Sequence, residues 1–209
     1  PGLDKYCATV NYYKREKGLP GFSFSLPYIV SSRRNEKLKQ ILLQDNYPIL
    51  LEGIHSTYIL GDKAFDARKI VLRLHNVEHK YYYQLYMHSS SFLKKMYYLH
   101  ESRLLKKHES YIANKPSRIL AVSESDKEIY QRLFGVKHIE FLPVFTGYNN
   151  VDVETGTGRF CLYHGNLSVA ENEKAAMWLI EEVFKHLDIP LIIAGRNPSV
   201  KLIKKINNI

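Results

Sequence analysis

A chain of 209 residues with 45% hydrophobic side chains holds enough apolar material for one large domain or two modest ones, which excludes a disordered chain. Its net charge of +9, from 30 Lys and Arg against 21 Asp and Glu, favours anionic partners such as nucleotides, phospholipid surfaces or nucleic acid without choosing among them. No apolar run reaches the roughly 20 residues that a membrane-crossing helix needs, and no basic start leads into an apolar signal segment.

In chain order, runs rich in β-branched and aromatic residues predict strands at 7–13 (CATVNYY), 48–53 (PILLEG), 69–76 (KIVLRLHN), 118–124 (RILAVSE), 139–144 (IEFLPV), 160–166 (FCLYHGN) and 190–195 (PLIIAG). Most are apolar without alternation, which suits strands covered on both faces by helices, hence parallel sheets. A long helical region is expected from about Tyr81 to Ala113, with Leu93, Met96, Tyr97, Leu104 and Tyr111 on one face. A second helix follows SESDKE (123–128), with Ser125 or Asp126 as N-cap. In a third, Ser168 and Glu171 have the spacing of a capping box, and Ala176, Leu179, Ile180, Val183, Phe184 and Leu187 recur on one face. Cys7 and Cys161 lie far apart in apolar or aromatic segments and read as reduced thiols behaving as small hydrophobes, a cytoplasmic pattern.

Strands alternating with helices predict an α/β, doubly wound architecture. FTGYNNVDVETGTG (145–158) interrupts it with Gly and Asn turn elements and reads as a linker. The expected organisation is therefore a first domain at 1–145, a linker at 146–158 and a second domain at 159–209. The chain starts Pro1-Gly2 without Met, and its second domain holds only strand, helix, strand and the start of a helix. Both domains read as incomplete.

His75-Asn76-Val77-Glu78-His79 matches the H-x-x-E-H pattern of inverted zinc peptidases. That chemistry needs both histidines on one helix face and a further carboxylate ligand, for which Glu101 and Glu109 are available. Residues 70–74 read as a strand, however, so the pattern straddles a strand–helix junction, and three fixed positions are a weak signal in a chain with nine histidines. The competing reading follows the rule that open parallel sheets bind ligands at the carboxyl ends of their strands. LRLHNVE, AVSES, YHGNLS and IAGRNPS all place polar residues or glycine there. Gly165 would let a phosphate approach the backbone, with free amides at the helix start behind it; Gly165 and Gly195 also fit plain tight turns. The Lys/Arg face between Lys94 and Lys107 reads as a solvated helix face, or as a contact with an anionic membrane. KYYYQLY mixes basic and aromatic residues, but no nucleic-acid module is present and nucleic acid is not an expected partner.

RLHNVEHKYYYQL, HESRLLKKHESYIANKPSRILAVSESDKEIY, FCLYHGNLSVAENEKAAMWLIEEVF and PLIIAGRNPS together resemble, in order and spacing, retaining glycosyltransferases with two Rossmann-like domains (GT-B type), specifically the family 4 (group 1) sugar transferases of bacterial polysaccharide biosynthesis, which include mannosyltransferases. The resemblance runs from LPYIVSSR (26–33) to Ser199. It implies an N-terminal acceptor domain, a C-terminal domain for a nucleotide-sugar donor, a glycan or lipid-linked acceptor, no obligatory metal or cofactor, and a cytoplasmic enzyme at or near the inner membrane face. It assigns His75 to face the donor sugar, with Glu78 beside it, and Ser123, Gly165, Asn166, Gly195 and Arg196 to donor binding. This chain departs from the family pattern in having Asn166 and then SVAENEKAA in place of an Arg and a Lys that hold the diphosphate, which leaves Arg196 or Lys174 for that work. The family's glycine-rich first loop and late glutamate pair have no match, so this stretch alone is expected to be inactive. The alternatives are a non-catalytic interaction domain and, more remotely, the zinc hydrolase.

Overall fold

A computed structural model describes residues 2–148, 150, 152–153 and 155–207. The chain divides into two compact units, Pro1–Thr146 and Gly147–Ile209. Asn149, Val151 and Glu154 of the expected linker lie outside the described residues.

In the first unit, β1 (Ile49–Glu52), β2 (Ile70–Leu74), β3 (Arg118–Ala121) and β4 (Ile139–Phe141) form a parallel sheet in the order β1-β2-β3-β4. Its helices are α1 (Tyr28–Ser31), α2 (Glu36–Leu42), α3 (Glu78–His88), α4 (Phe92–Ile112) and α5 (Glu124–Phe134). The order is sequential, so the reversal that defines a doubly wound sheet is not found among the described strands. Register puts Ile49, Ile70, Leu72, Ile119 and Ile139 together on one face, and all are buried. The other face carries Leu50, 58% exposed, with Val71 and Arg73 half-buried beside it. The expectation that helices cover both faces is thus corrected: among the described residues the sheet buries one face, as its alternating burial shows. Residues 7–13 form no strand; Tyr12 is 70% exposed and the segment has no strand partner to satisfy its backbone.

The expected helix from Tyr81 to Ala113 is two helices, broken at Ser89-Ser90-Ser91, whose hydroxyls compete for backbone groups and favour a helix end. α3 folds back antiparallel on α4: Tyr82 meets Tyr98, the Ser102 hydroxyl donates to the His79 carbonyl, and Glu109 accepts the Glu78 amide. The buried face of α4 is also not the expected one. Leu93, Met96, Tyr97 and Tyr111 are exposed and Leu104 half-buried, whereas Glu101, Leu105, His108, Glu109 and Ile112 are buried. The polar members act as rivets. Glu101 Oε2 accepts the Tyr28 amide at 2.8 Å and ties in α1; His108 Nε2 meets Thr57 Oγ1 at 2.8 Å and ties in the 3-10 segment Ile54–Gly61; Glu109 holds the start of α3.

In the second unit, β5 (Cys161–Asn166) and β6 (Leu191–Arg196) pair in parallel, with α6 (Ala170–Trp178) between them and α7 (Val200–Ile206) after. Ala176, Ile180, Leu167 and Leu202 make a small core. Leu187, placed by periodicity on the buried face, is 47% exposed, because a π turn (Leu179–Val183) and a 3-10 turn (Phe184–His186) end the regular helix before it. The capping box does not form: the N-cap of α6 is Val169, and the Ser168 amide and hydroxyl both donate to Asn166 Oδ1. Cys7 and Cys161 are free thiols and both are exposed, not packed as small hydrophobes. No helix among the described residues is long and apolar enough to cross a membrane.

Candidate functional site

The parallel register brings the ends of β1 and β2 side by side. Glu52, the last residue of β1, pairs with Arg73 in the sheet; its Oε2 accepts from Arg73 at 3.2 Å and from His75 Nε2 at 2.8 Å. Burial pushes the Glu52 carboxyl up, but the hydrogen bonds from His75 and Arg73 outweigh it and hold it below the ordinary range. His75 and Glu52 are each about half exposed at the side chain, so the pair is open to a ligand.

Gly53 makes this arrangement possible. It lies at φ +75°, ψ 157°, a region only glycine populates freely. A Cβ there would stand 2.7 Å from the His55 ring and 3.4 Å from His75 Nδ1, so the two imidazoles converge on the bare glycine. His55 is held below the ordinary histidine range by burial, then by Arg33, His75 and Arg15, with Glu52 opposing. Arg15 donates from Nε to Ser32 Oγ at 2.9 Å and stacks on Tyr28, and Arg33 donates to the Ile29 carbonyl at 2.7 Å.

Glu78 is the first residue of α3. Burial pushes its carboxyl up, Asn76 opposes by hydrogen bonding, and the nearby Glu109 adds to the rise. His79 is on α3 and donates from Nδ1 to Glu109, which is fully buried. The two histidines of the H-x-x-E-H pattern therefore serve different carboxylates, His75 on Glu52 and His79 on Glu109. Among the described residues no three His, Cys, Asp or Glu side chains gather in a group that could hold a metal.

Ser123, at the end of β3, accepts the Asp126 amide at 3.1 Å and is the N-cap of α5, the position expected for Ser125 or Asp126. In the second unit, Gly165 and Asn166 end β5 while Gly195 and Arg196 end β6, paired Gly165 with Gly195 and Asn166 with Arg196. A Cβ on Gly195 would lie 2.0 Å from the Gly165 carbonyl oxygen, so sheet packing alone demands this glycine; at Gly165 it would make only ordinary contacts with Asn172. Arg196 is exposed, and no ion pair engages it among the described residues. The first turn of α6 carries Glu171 and Glu173, which oppose an anion at that helix start.

Four residues that sequence reasoning passed over belong to this site: Glu52, Gly53, His55 and Arg33. The signal was present in LLEGIH, a strand ending in Glu and Gly that resembles the strand ends at LRLHNVE, AVSES, YHGNLS and IAGRNPS.

The chain is similar to a Klebsiella pneumoniae protein named "Uncharacterized 44.6 kDa protein in cps region", with 30% identity over 208 residues, 96% of this chain and 50% of the relative. The chain thus spans about half the length of the curated relative it matches. No protein-family model matches it, and no solved structure matches it significantly.

Proposed function

We propose that the chain is part of a retaining, GT-B type glycosyltransferase of polysaccharide biosynthesis, moving a sugar, in our reading mannose, from a nucleotide-sugar donor to a glycan or lipid-linked acceptor. The observation that carries this reading is His75: it stands at the carboxyl end of a parallel strand, half exposed, with its ring fixed by Glu52. The cps location of the Klebsiella relative supports a polysaccharide setting. In this reading the first unit serves the acceptor and the second unit binds the donor through Gly165, Asn166, Gly195 and Arg196.

The chemistry asked of these residues is positioning and charge stabilisation. With Nε2 engaged by Glu52, His75 keeps Nδ1 for a sugar hydroxyl. Glu78, half-buried and engaged with Asn76, shapes the turn that carries His75. With Glu171 and Glu173 at the start of α6, the diphosphate falls to Arg196 rather than to that helix end. Phe92, Leu93 and Met96, exposed beside Lys94 and Lys95, are suited to peripheral contact with an anionic membrane.

The test is calorimetric titration of nucleoside diphosphates into the intact protein. Dissociation constants between about 1 μM and 1 mM are expected. No heat at millimolar ligand, with the protein folded, would count decisively against a transferase.

A further inference from the structure

The first unit holds a cationic cluster that the transferase reading leaves unused. Arg15 and Arg33 share the wall of a cavity of about 430 Å³ with Lys14, Glu52 and Ser56, above leucines of α2 and β1. Among the described residues no carboxylate forms an ion pair with Lys14, Arg15 or Arg33, and Glu52 is already engaged by Arg73 and His75. Arg33 is held below its usual value by burial and then by the positive charge of Arg15, which shares the cavity wall with it.

An arrangement of this kind is costly without a counterion, and here it is built rigidly. Glu16 N–H donates to the Ser32 carbonyl, Arg15 Nε to the Ser32 hydroxyl, and Ser32 is fully buried. Gly21 backs this stretch so closely that a Cβ would lie 2.3 Å from the Glu16 carbonyl oxygen. Each guanidinium spends one N–H on the protein, on Ser32 or on Ile29, and keeps others for a ligand. His55 sits in the same field, against Gly53 and beside His75.

We propose that Arg15, Arg33 and His55 form a binding site for a phosphoryl group in the first unit, next to His75. Guanidinium pairs match the geometry of phosphate oxygens, and the fixed backbone removes much of the ordering cost of binding. The site does not depend on the transferase reading: it requires only a ligand bearing a phosphoryl group, whether a nucleotide or a sugar phosphate.

The groups that act on His55 are Arg33, His75 and Arg15, which disfavour its proton, and Glu52, which favours it. A bound phosphoryl group offsets the positive charge of Arg33 and Arg15, so it raises the His55 pKa, and binding tightens as pH falls through the histidine range.

The experiment is a titration of the 209-residue chain with inorganic pyrophosphate, followed through the His55 ring signals by NMR. Binding is expected to raise the His55 pKa by about one unit. Arg15→Gln and Arg33→Gln are each expected to weaken binding about tenfold or more, while Arg118→Gln has no effect. Arg15 is exposed, so Arg15→Gln remains a valid test even if Arg33→Gln fails to fold. Repeating the titration with a nucleoside diphosphate and a hexose 1-phosphate tells which source of phosphoryl group the arginines prefer; preference for either supports the site. Pyrophosphate binding that leaves the His55 signals unmoved, or that survives both arginine substitutions, would overturn it, as would no binding at about 10 mM.

Discussion

Glu109→Ala is expected to cost the first unit about 3–5 kcal/mol of folding stability. The carboxylate is fully buried and accepts both the Glu78 amide, at 2.8 Å, and His79 Nδ1–H. Alanine leaves one buried and one part-buried donor without a partner, each worth about 1–3 kcal/mol. The loss falls on the start of α3, which follows directly on the His75 turn, so the His75–Glu52 hydrogen bond should loosen as well. Urea unfolding measures the first effect and the His75 ring signals the second. Glu109→Leu combined with His79→Leu removes donor and acceptor together and should recover part of the loss. A cost for Glu109→Ala under about 1 kcal/mol would mean that Glu109 is no rivet.

Acid should destabilise the first unit through His108, by about 3 kcal/mol between neutral pH and pH 4. Burial lowers its pKa to about 4. Its partner fixes the tautomer: the Thr57 hydroxyl donates to the Ile54 carbonyl at 2.6 Å, so it accepts from His108 Nε2–H. A second proton on Nδ1 would be buried. With the folded pKa below the unfolded one, the unfolded chain takes up a proton first as pH falls through about 6.5, and stability drops from there until the folded state also protonates. Glu78 and Glu101, whose carboxyls burial pushes up, act in the opposite sense, because the folded state binds their protons more readily. The comparison must therefore be against His108→Gln, which keeps a donor for Thr57 and cannot titrate. The two unfolding free energies should diverge as pH falls; parallel curves would contradict the assignment.

Both predictions concern α4, where the sequence was least legible. Hydropathy selects Leu93, Met96, Tyr97, Leu104 and Tyr111 as its core face, yet the buried face is Glu101, Leu105, His108, Glu109 and Ile112. The polar letters hid it, because each of these polar side chains bonds a partner distant in sequence: the Tyr28 amide, Thr57 and the start of α3. A periodicity count has no access to such partners. The strands were easier. Six of seven lie where β-branched runs put them, and the exception, 7–13, fails for want of a neighbouring strand. Caps were harder, since Ser123 displaced two nearby candidates and Asn166 drew Ser168 away from the start of α6.

Within the site, the strand before His75 was enough to separate it from His79 and to place it at a sheet end. Its surroundings were not legible. Arg15, Arg33 and His55 come from a loop, the turn after α1 and a 3-10 segment; the conformation of Gly53 brings His55 beside His75, while the two arginines share a cavity wall with Glu52. Glu52 and Gly53 were within reach of the rule about strand ends, because LLEGIH closes a strand on both of them.

If His75 positions a reacting sugar, its loss must show in turnover before it shows in stability. The direct measurement is release of nucleoside diphosphate from a panel of nucleotide sugars by the intact protein, with the product's anomeric configuration read by NMR. Turnover of at least one donor with retention is expected, falling about 100-fold in His75→Ala while unfolding free energy and diphosphate affinity change little. Turnover undiminished in His75→Ala, or an inverted product, would contradict this role.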